Sequence, residues 1–110
     1  GRGALAGLTA EQRAEYDRRL AEIDSKWPAP NVLDFVNHID HGVKVAGIDH
    51  VGISSDFDGG GGITGWRDAS ETMNVTAELI RRGYTEAQIR KLWGENTLRV
   101  WEENRRRAGG

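Results

Sequence analysis

The run His50-Val51-Gly52-Ile53-Ser54-Ser55-Asp56-Phe57-Asp58, followed at once by Gly59-Gly60-Gly61-Gly62, constrains the middle of this chain more than any other feature. Val51 and Ile53 are β-branched and fall on one face of an extended segment, with His50, Gly52 and Ser54 on the other. Four successive glycines cannot continue a strand, so pairing is expected to stop near Asp56. The expected arrangement is a short buried strand that ends in two carboxylates and opens into a flexible loop. In α/β enzymes the chemistry sits at the carboxyl ends of the strands.

The flanks read as helices. Thr9 and Gln12 fit a capping box that opens a charged helix over residues 9–25. Its apolar positions, Tyr16, Leu20 and Ile23, make only a thin stripe, so a surface helix is expected. Trp27-Pro28-Ala29-Pro30 ends it. Over residues 32–46, Val32, Phe35, Val36, Ile39, Val43 and Ala46 share one stripe at helical spacing, with Gly47 as the stop. After the glycine loop, Asp68 or Ser70 can cap a helix that runs to Arg82 and Gly83, with Met73, Ala77 and Ile80 as its inner face and Leu79 beside them. Thr85 and Gln88 form a second capping box, with Tyr84 and Ile89 spaced for a hydrophobic staple. That helix is expected to end at Gly94 and a last one to start near Asn96, fraying from Arg105. Residues 1–7 read as a loose lead-in. Trp66, Trp93 and Trp101 read as packing anchors.

One strand among so many helices is a physical problem. A lone strand cannot satisfy its own N–H and C=O groups, and a buried one needs a neighbour on each side. The helix–strand–helix order predicts one unit of a parallel α/β sheet whose other strands lie elsewhere. A helical bundle is the alternative.

Composition narrows the function classes. The chain has 110 residues, about one small domain, with 37% hydrophobic and 29% charged residues. A net charge of -2 gives no reason to expect nucleic acid, and Arg105-Arg106-Arg107 sits at a helix end, where cations complement the dipole. With no cysteine there is neither a disulfide nor a thiolate metal site. No apolar run approaches the roughly 20 residues of a membrane-spanning helix. No signal peptide is visible, and the compartment, cytoplasmic or secreted, stays open.

Several chemistries compete for the central stretch. Asp56 and Asp58 beside glycine are compatible with an ordinary solvated turn, and equally with a carboxylate on a rigid strand end that works as general acid and base. Asp56 is the better candidate of the two because it stands on the strand end itself. A calcium loop fails, since the position that requires a bidentate Glu is Arg67. Residues 60–65 fit G-x-G-x-x-G formally, but the two aspartates would repel a phosphate and the next helix starts too late to grip one. His38 and His41 lie one turn apart on a helix but away from its apolar stripe and without a third ligand, so hydrogen bonding is expected of them. His50, at the far end of the strand from Asp56, reads as structural. Asn74-Val75-Thr76 is a glycosylation sequon in form only, since it lies within a helix.

His38-Ile39-Asp40-His41, then Val45-Ala46-Gly47-Ile48-Asp49-His50-Val51-Gly52-Ile53-Ser54-Ser55-Asp56-Phe57-Asp58-Gly59, resembles the C-terminal part of the membrane dipeptidase family, the renal-dipeptidase-like zinc enzymes. Arg82-Gly83-Tyr84-Thr85-Glu86, Ile89, Leu92-Trp93-Gly94-Glu95-Asn96 and Leu98-Arg99-Val100-Trp101 are similar to the closing helices of the same family, so the resemblance spans residues 31–102. It implies an amidohydrolase-type (β/α)8 TIM barrel, of which this chain would be the last helix–strand–helix unit plus the closing helices. Residues 1–30 would be a lead-in and surface helix and residues 31–110 the last βα portion, not an autonomous domain.

The family's two zinc ions are held by a His-x-Asp pair, a bridging Glu and two later histidines. None of these can be placed here, so no metal ligand is assigned to this chain and the zinc would be bound by the missing N-terminal part. Asp56 matches the family's aspartate at the end of the eighth strand. The resemblance implies that Asp56 contacts the metal-bridging hydroxide and the substrate's free amino end, and shuttles a proton from the hydroxide to the leaving amine. Phe57, Asp58 and Gly59 would shape the substrate-binding rim with it. The implied partners are the remainder of the barrel and a dipeptide substrate, with a homodimer compatible with that reading. Two other readings stand beside it: a non-catalytic helical interaction module whose glycine loop is a linker, and a phosphate-binding loop.

Overall fold

The computed structural model describes residues 2–109. A 3-10 turn, Arg2–Leu5, leads to α1 (Ala10–Lys26), and the capping box is formed: Thr9 Oγ1 accepts from Gln12 N at 3.2 Å and Thr9 N donates to Gln12 Oε1 at 2.9 Å. No residue of α1 is buried. Its face is laced instead by i,i+3 and i,i+4 ion pairs from Arg18 and Arg19 to Glu15 and from Arg18 to Glu22. The surface helix expected from its thin apolar stripe is the one observed.

α2 (Val32–Ala46) opens on a second reciprocal cap, in which Asn31 Oδ1 accepts from Asp34 N and Asn31 N donates to Asp34 Oδ2, both at 3.0 Å. Its stripe enters the core as expected: Val36 and Ile39 are buried, Val32, Phe35 and Val43 pack beside them, and only Ala46 stays exposed. Gly47 closes the helix, its N–H bonding the Val43 carbonyl at 2.8 Å.

The strand expected over residues 50–56 does not form. Ile48–His50 is a 3-10 turn, and beyond it the backbone is extended but carries no ladder. Among the described residues the β pairing consists of isolated bridges, Asn31 with Thr64 and Ile63 with Trp66. The reason is the one the sequence raises: no second strand lies within reach. The segment is held from one side only. Ile53 N donates to the Leu92 carbonyl at 2.9 Å, and Asn96 Nδ2 donates to the carbonyls of Ile48 and Val51 at 2.7 and 2.9 Å. Asn96 is buried to do so.

After the glycine loop, Asp68 Oδ1 accepts from Ser70 N at 2.9 Å and caps the 3-10 turn Ala69–Glu71 that feeds α3 (Thr72–Arg81). The inner face of α3 differs from the expected one. Val75, Glu78 and Leu79 are buried, whereas Met73 and Ile80 are 69% and 61% exposed and Ala77 is exposed. Two apolar stripes compete on this helix, and polar anchors decide between them: Trp66 Nε1 donates to Thr72 Oγ1 at 3.1 Å and Trp93 Nε1 to Thr76 Oγ1 at 2.9 Å. These bonds turn Thr72, Val75, Thr76 and Leu79 inward.

The capping box at Thr85 opens α4 (Glu86–Arg90), and both Tyr84 and Ile89 join the core. The helix does not stop at Gly94. A π turn, Lys91–Glu95, carries the chain directly into α5 (Asn96–Arg107). α5 keeps Arg105, Arg106 and Arg107 helical, with Arg106 and Arg107 both paired to Glu103 four or fewer residues back. The fraying expected from Arg105 is therefore limited, among the described residues, to the turn at the end.

Trp66 is the centre of the core. Phe35, Phe57 and Trp93 meet it edge-on, with ring centroids 5.1, 5.3 and 5.9 Å away, around Val36, Ile39, Val75, Leu79, Ile89 and Leu92. Trp66 and Trp93 are the anchors expected of them. Trp101 is not: it is 67% exposed, as is Trp27 at 76%. The radius of gyration, 18.9 Å, exceeds the ~13 Å of a compact chain this long, and α1 buries no residue. No helix is long and apolar enough to cross a membrane.

Candidate active site

The site is built from the turn that replaces the strand end. Asp56 has φ 53 and ψ 33, the left-handed region, and is the non-glycine residue with positive φ among those described. An L-residue adopts this conformation at a cost of roughly 1–2 kcal/mol, which Asp and Asn bear better than other side chains. Something must hold it there. Asp56's own carbonyl accepts from Gly59 N at 3.0 Å and from Gly61 N at 2.7 Å, so the loop winds back around Asp56. On the other side Phe57 is half-buried against Trp66, and its N–H reaches Ser55 Oγ at 3.4 Å.

This winding requires glycine by close approach. A Cβ at Gly61 would lie 2.0 Å from the Ser55 carbonyl oxygen, and one at Gly59 would lie 2.2 Å from Asp56 Oδ1. The four glycines that look unspecific in the sequence therefore include two with distinct jobs. The winding also weakens the phosphate-loop reading, since two of the loop's amides are already bonded to Asp56.

Asp56 and Asp58 are both exposed, and neither forms an ion pair within 4.0 Å among the described residues. Gly59 is exposed beside them. The structure thus brings Asp56, Phe57, Asp58 and Gly59 into one tight turn, with Phe57 turned to the core and the two carboxylates to solvent.

The histidines are elsewhere. His38 and His41 are exposed on α2, and His38 Nδ1 lies 2.9 Å from the Asp34 carbonyl oxygen, a local hydrogen bond of the expected kind. His50 ends the 3-10 turn and lines, with Val51, Val100 and Trp101, an open apolar hollow of about 440 Å³. Asn74 uses its side-chain amide on the Gly65 carbonyl at 2.8 Å. Among the described residues no three His, Cys, Asp or Glu side chains are grouped to hold a metal ion. The residues present do not fit a zinc site by themselves.

One cluster has no role in the sequence reading. Arg82 donates from Nη1 to Asp40 Oδ2 at 2.6 Å and to Asn37 Oδ1 at 2.8 Å, from Nη2 to the Leu33 carbonyl at 3.0 Å, and from Nε to Glu78 Oε1 at 2.8 Å. Tyr84 Oη donates to Asp40 Oδ1 at 2.7 Å. This clamp ties α2 to α3 and to the start of α4. Burial pushes the Asp40 carboxyl up, but the hydrogen bonds from Tyr84 and Arg82 outweigh it and hold it below its ordinary value. Glu78 is drawn down to about 2 by its bonds from Arg81 and Arg82. Tyr84 is pushed up to about 12 by burial and by its bond to Asp40. The partners stand 42 and 44 residues apart, so no local spacing reveals them.

Known proteins are similar to this chain. The family described as membrane dipeptidase (peptidase family M19) matches residues 19–108. The crystal structure of the probable dipeptidase PvdM from Pseudomonas aeruginosa is 50% identical over 89% of this chain, with a TM-score of 0.68. This chain spans 24% of the length of that protein. The match covers the Asp56 turn, the clamp and the closing helices together, and the chain belongs to the membrane dipeptidase family.

Proposed function

We propose that this chain takes part in the hydrolysis of dipeptides, supplying Asp56 as the proton-transferring carboxylate of the site. The observation that carries the reading is the left-handed turn at Asp56. A strained, wound backbone holds one solvent-facing carboxylate that no neighbouring cation ties up. Strain of this kind concentrates at functional sites. Membership of the dipeptidase family and the likeness to a probable dipeptidase support the reaction class.

In this reading the Asp56 carboxylate accepts a proton from the attacking water and returns it to the leaving amine nitrogen, acting as base and then as acid. The same carboxylate can receive the substrate's free amino end. Phe57, Asp58 and Gly59 shape the rim, and Phe57, wedged on Trp66, keeps that rim rigid. Zinc, which the resemblance implies, would be held by residues outside this chain, because those described here do not form a site for it.

The chain does not act alone in this reading. Among the described residues, 51–55 have no ladder partner, and Trp27, Val45, Met73, Ile80 and Trp101 expose apolar surface. The remaining strands and helices of a (β/α)8 barrel would cover both. The test is a dipeptide hydrolysis assay on the whole protein that carries the chain. Turnover is expected for free dipeptides but not for their N-acetylated forms, to be lost on chelation and to return with zinc. No turnover of any free dipeptide with zinc present would overturn the proposal.

A further inference from the structure

We propose that Gly59, besides shaping the rim, is a positioning residue that sets the direction of the Asp56 carboxylate. This inference rests on the role given to Asp56 above.

The Asp56 carboxylate lies over the face of Gly59 where a side chain would begin. A Cβ there would meet Oδ1 at 2.2 Å, and Cγ and Oδ2 at 2.8 Å each. These three nearest atoms all belong to the Asp56 side chain. Gly59 is not among the residues with positive φ, so alanine meets no backbone strain there. Its methyl group would displace only the end of a flexible side chain. Gly61 contrasts with it. There a Cβ would meet the Ser55 carbonyl at 2.0 Å and the Asp56 carbonyl at 2.7 Å, so alanine would push the backbone itself. Two glycines two residues apart thus do separate things. Gly61 lets the loop close on Asp56 and fix its left-handed backbone. Gly59 leaves the space into which the carboxylate folds. Phe57, wedged against Trp66, stops the turn from relaxing as a body.

The experiment is a double-mutant cycle in the full-length protein, with dipeptide turnover measured for wild type, Gly59→Ala, Asp56→Asn and the double variant, and a crystal structure of Gly59→Ala. Asn keeps the shape and the tolerance of the left-handed region but cannot carry the proton. Gly59→Ala should lower kcat about 10- to 100-fold, the scale of a misplaced reacting group, with KM within about twofold. In the Asp56→Asn background the same change should cost nothing further, because groups acting as one unit are not additive. The crystal structure should show the carboxylate turned away and the left-handed backbone retained.

The inference is overturned if Gly59→Ala keeps wild-type kcat, or if it lowers kcat by the same factor with Asn at position 56. It is also overturned if the carboxylate stays in place, or if the variant fails to fold, since the clash would then lie in the backbone. Full activity of Asp56→Asn is a separate outcome. It removes the role given to Asp56 in hydrolysis, and the crystal structure alone then decides whether Gly59 directs the carboxylate.

Discussion

The clamp around Arg82 and the turn at Asp56 both present carboxylates on a scaffold of the same helices, and they use them in opposite ways. In the clamp, Asp40 and Glu78 are bonded to arginine, and Asp40 to Tyr84 as well, so their charge joins α2 to α3. At the turn, Asp56 and Asp58 are exposed without an ion pair among the described residues, and the backbone at Asp56 is strained. Charge that is tied by hydrogen bonds contributes to the fold and is held in one protonation state. A carboxylate left untied on a strained turn stays open to a substrate. Trp66 lies under both regions, since its ring packs on Phe57 and on Phe35 of α2.

That shared support sets the largest expected effect. Trp66→Ala should lower stability by about 3–5 kcal/mol, as aromatic deletions in a core do, and should impair turnover in whatever fraction stays folded. Loss of one property without the other would show that the two regions do not share this support. Arg82→Ala should cost roughly 2–3 kcal/mol by leaving Asp40 with Tyr84 and Glu78 with Arg81 as their remaining partners, with kcat per folded molecule unchanged. A kcat that falls with it would mean that the clamp reaches the site.

Tyr84→Phe removes one hydrogen bond and should cost about 1 kcal/mol by thermal unfolding. It also sharpens the alkaline side. Tyr84 moves from 10.0 to about 12, so the folded state keeps its proton where the unfolded chain loses it. Stability should then be complete below pH 10 and fall as pH rises toward 12, and the phenylalanine variant should lack that fall. On the acid side the sign reverses. Glu78 moves from 4.5 down to about 2, so its contribution should be present above pH 4.5 and lost as pH falls toward 2. Arg82→Ala should flatten this acid loss. Least of all, Glu15→Ala on α1 should leave the unfolding midpoint unresolved from wild type, because its ion pairs are exposed and its helix buries nothing.

What the sequence makes legible follows the range of the forces involved. The caps at Thr9 and Thr85, the α2 stripe and the exposed α1 are set within a few residues, and they read correctly. Asp56 reads as the candidate because strand-end carboxylates beside glycine are a local pattern. The inner face of α3 was not legible, since Met73, Ala77 and Ile80 form as good a stripe as Val75 and Leu79. Indole hydrogen bonds to Thr72 and Thr76 from Trp66 and Trp93 decide between them. The clamp was invisible because its partners meet only after the chain folds. The expected strand at residues 50–56 needs neighbouring strands, which the described residues do not supply, so its side-chain alternation alone could not make it one. Nor could a count of glycines tell Gly59 and Gly61 from Gly60, because the difference is what a Cβ would strike.

In the proposed function the turn's carboxylate serves chemistry, while the clamp's carboxylates join α2 to α3. The most direct test measures kcat for a free dipeptide and the unfolding midpoint on one preparation of full-length Asp56→Asn. The account predicts kcat lowered by about 10²- to 10⁴-fold, the range for a lost general acid–base, with the midpoint unchanged. Wild-type kcat would contradict it, and so would a fall in kcat matched by a fall in the midpoint.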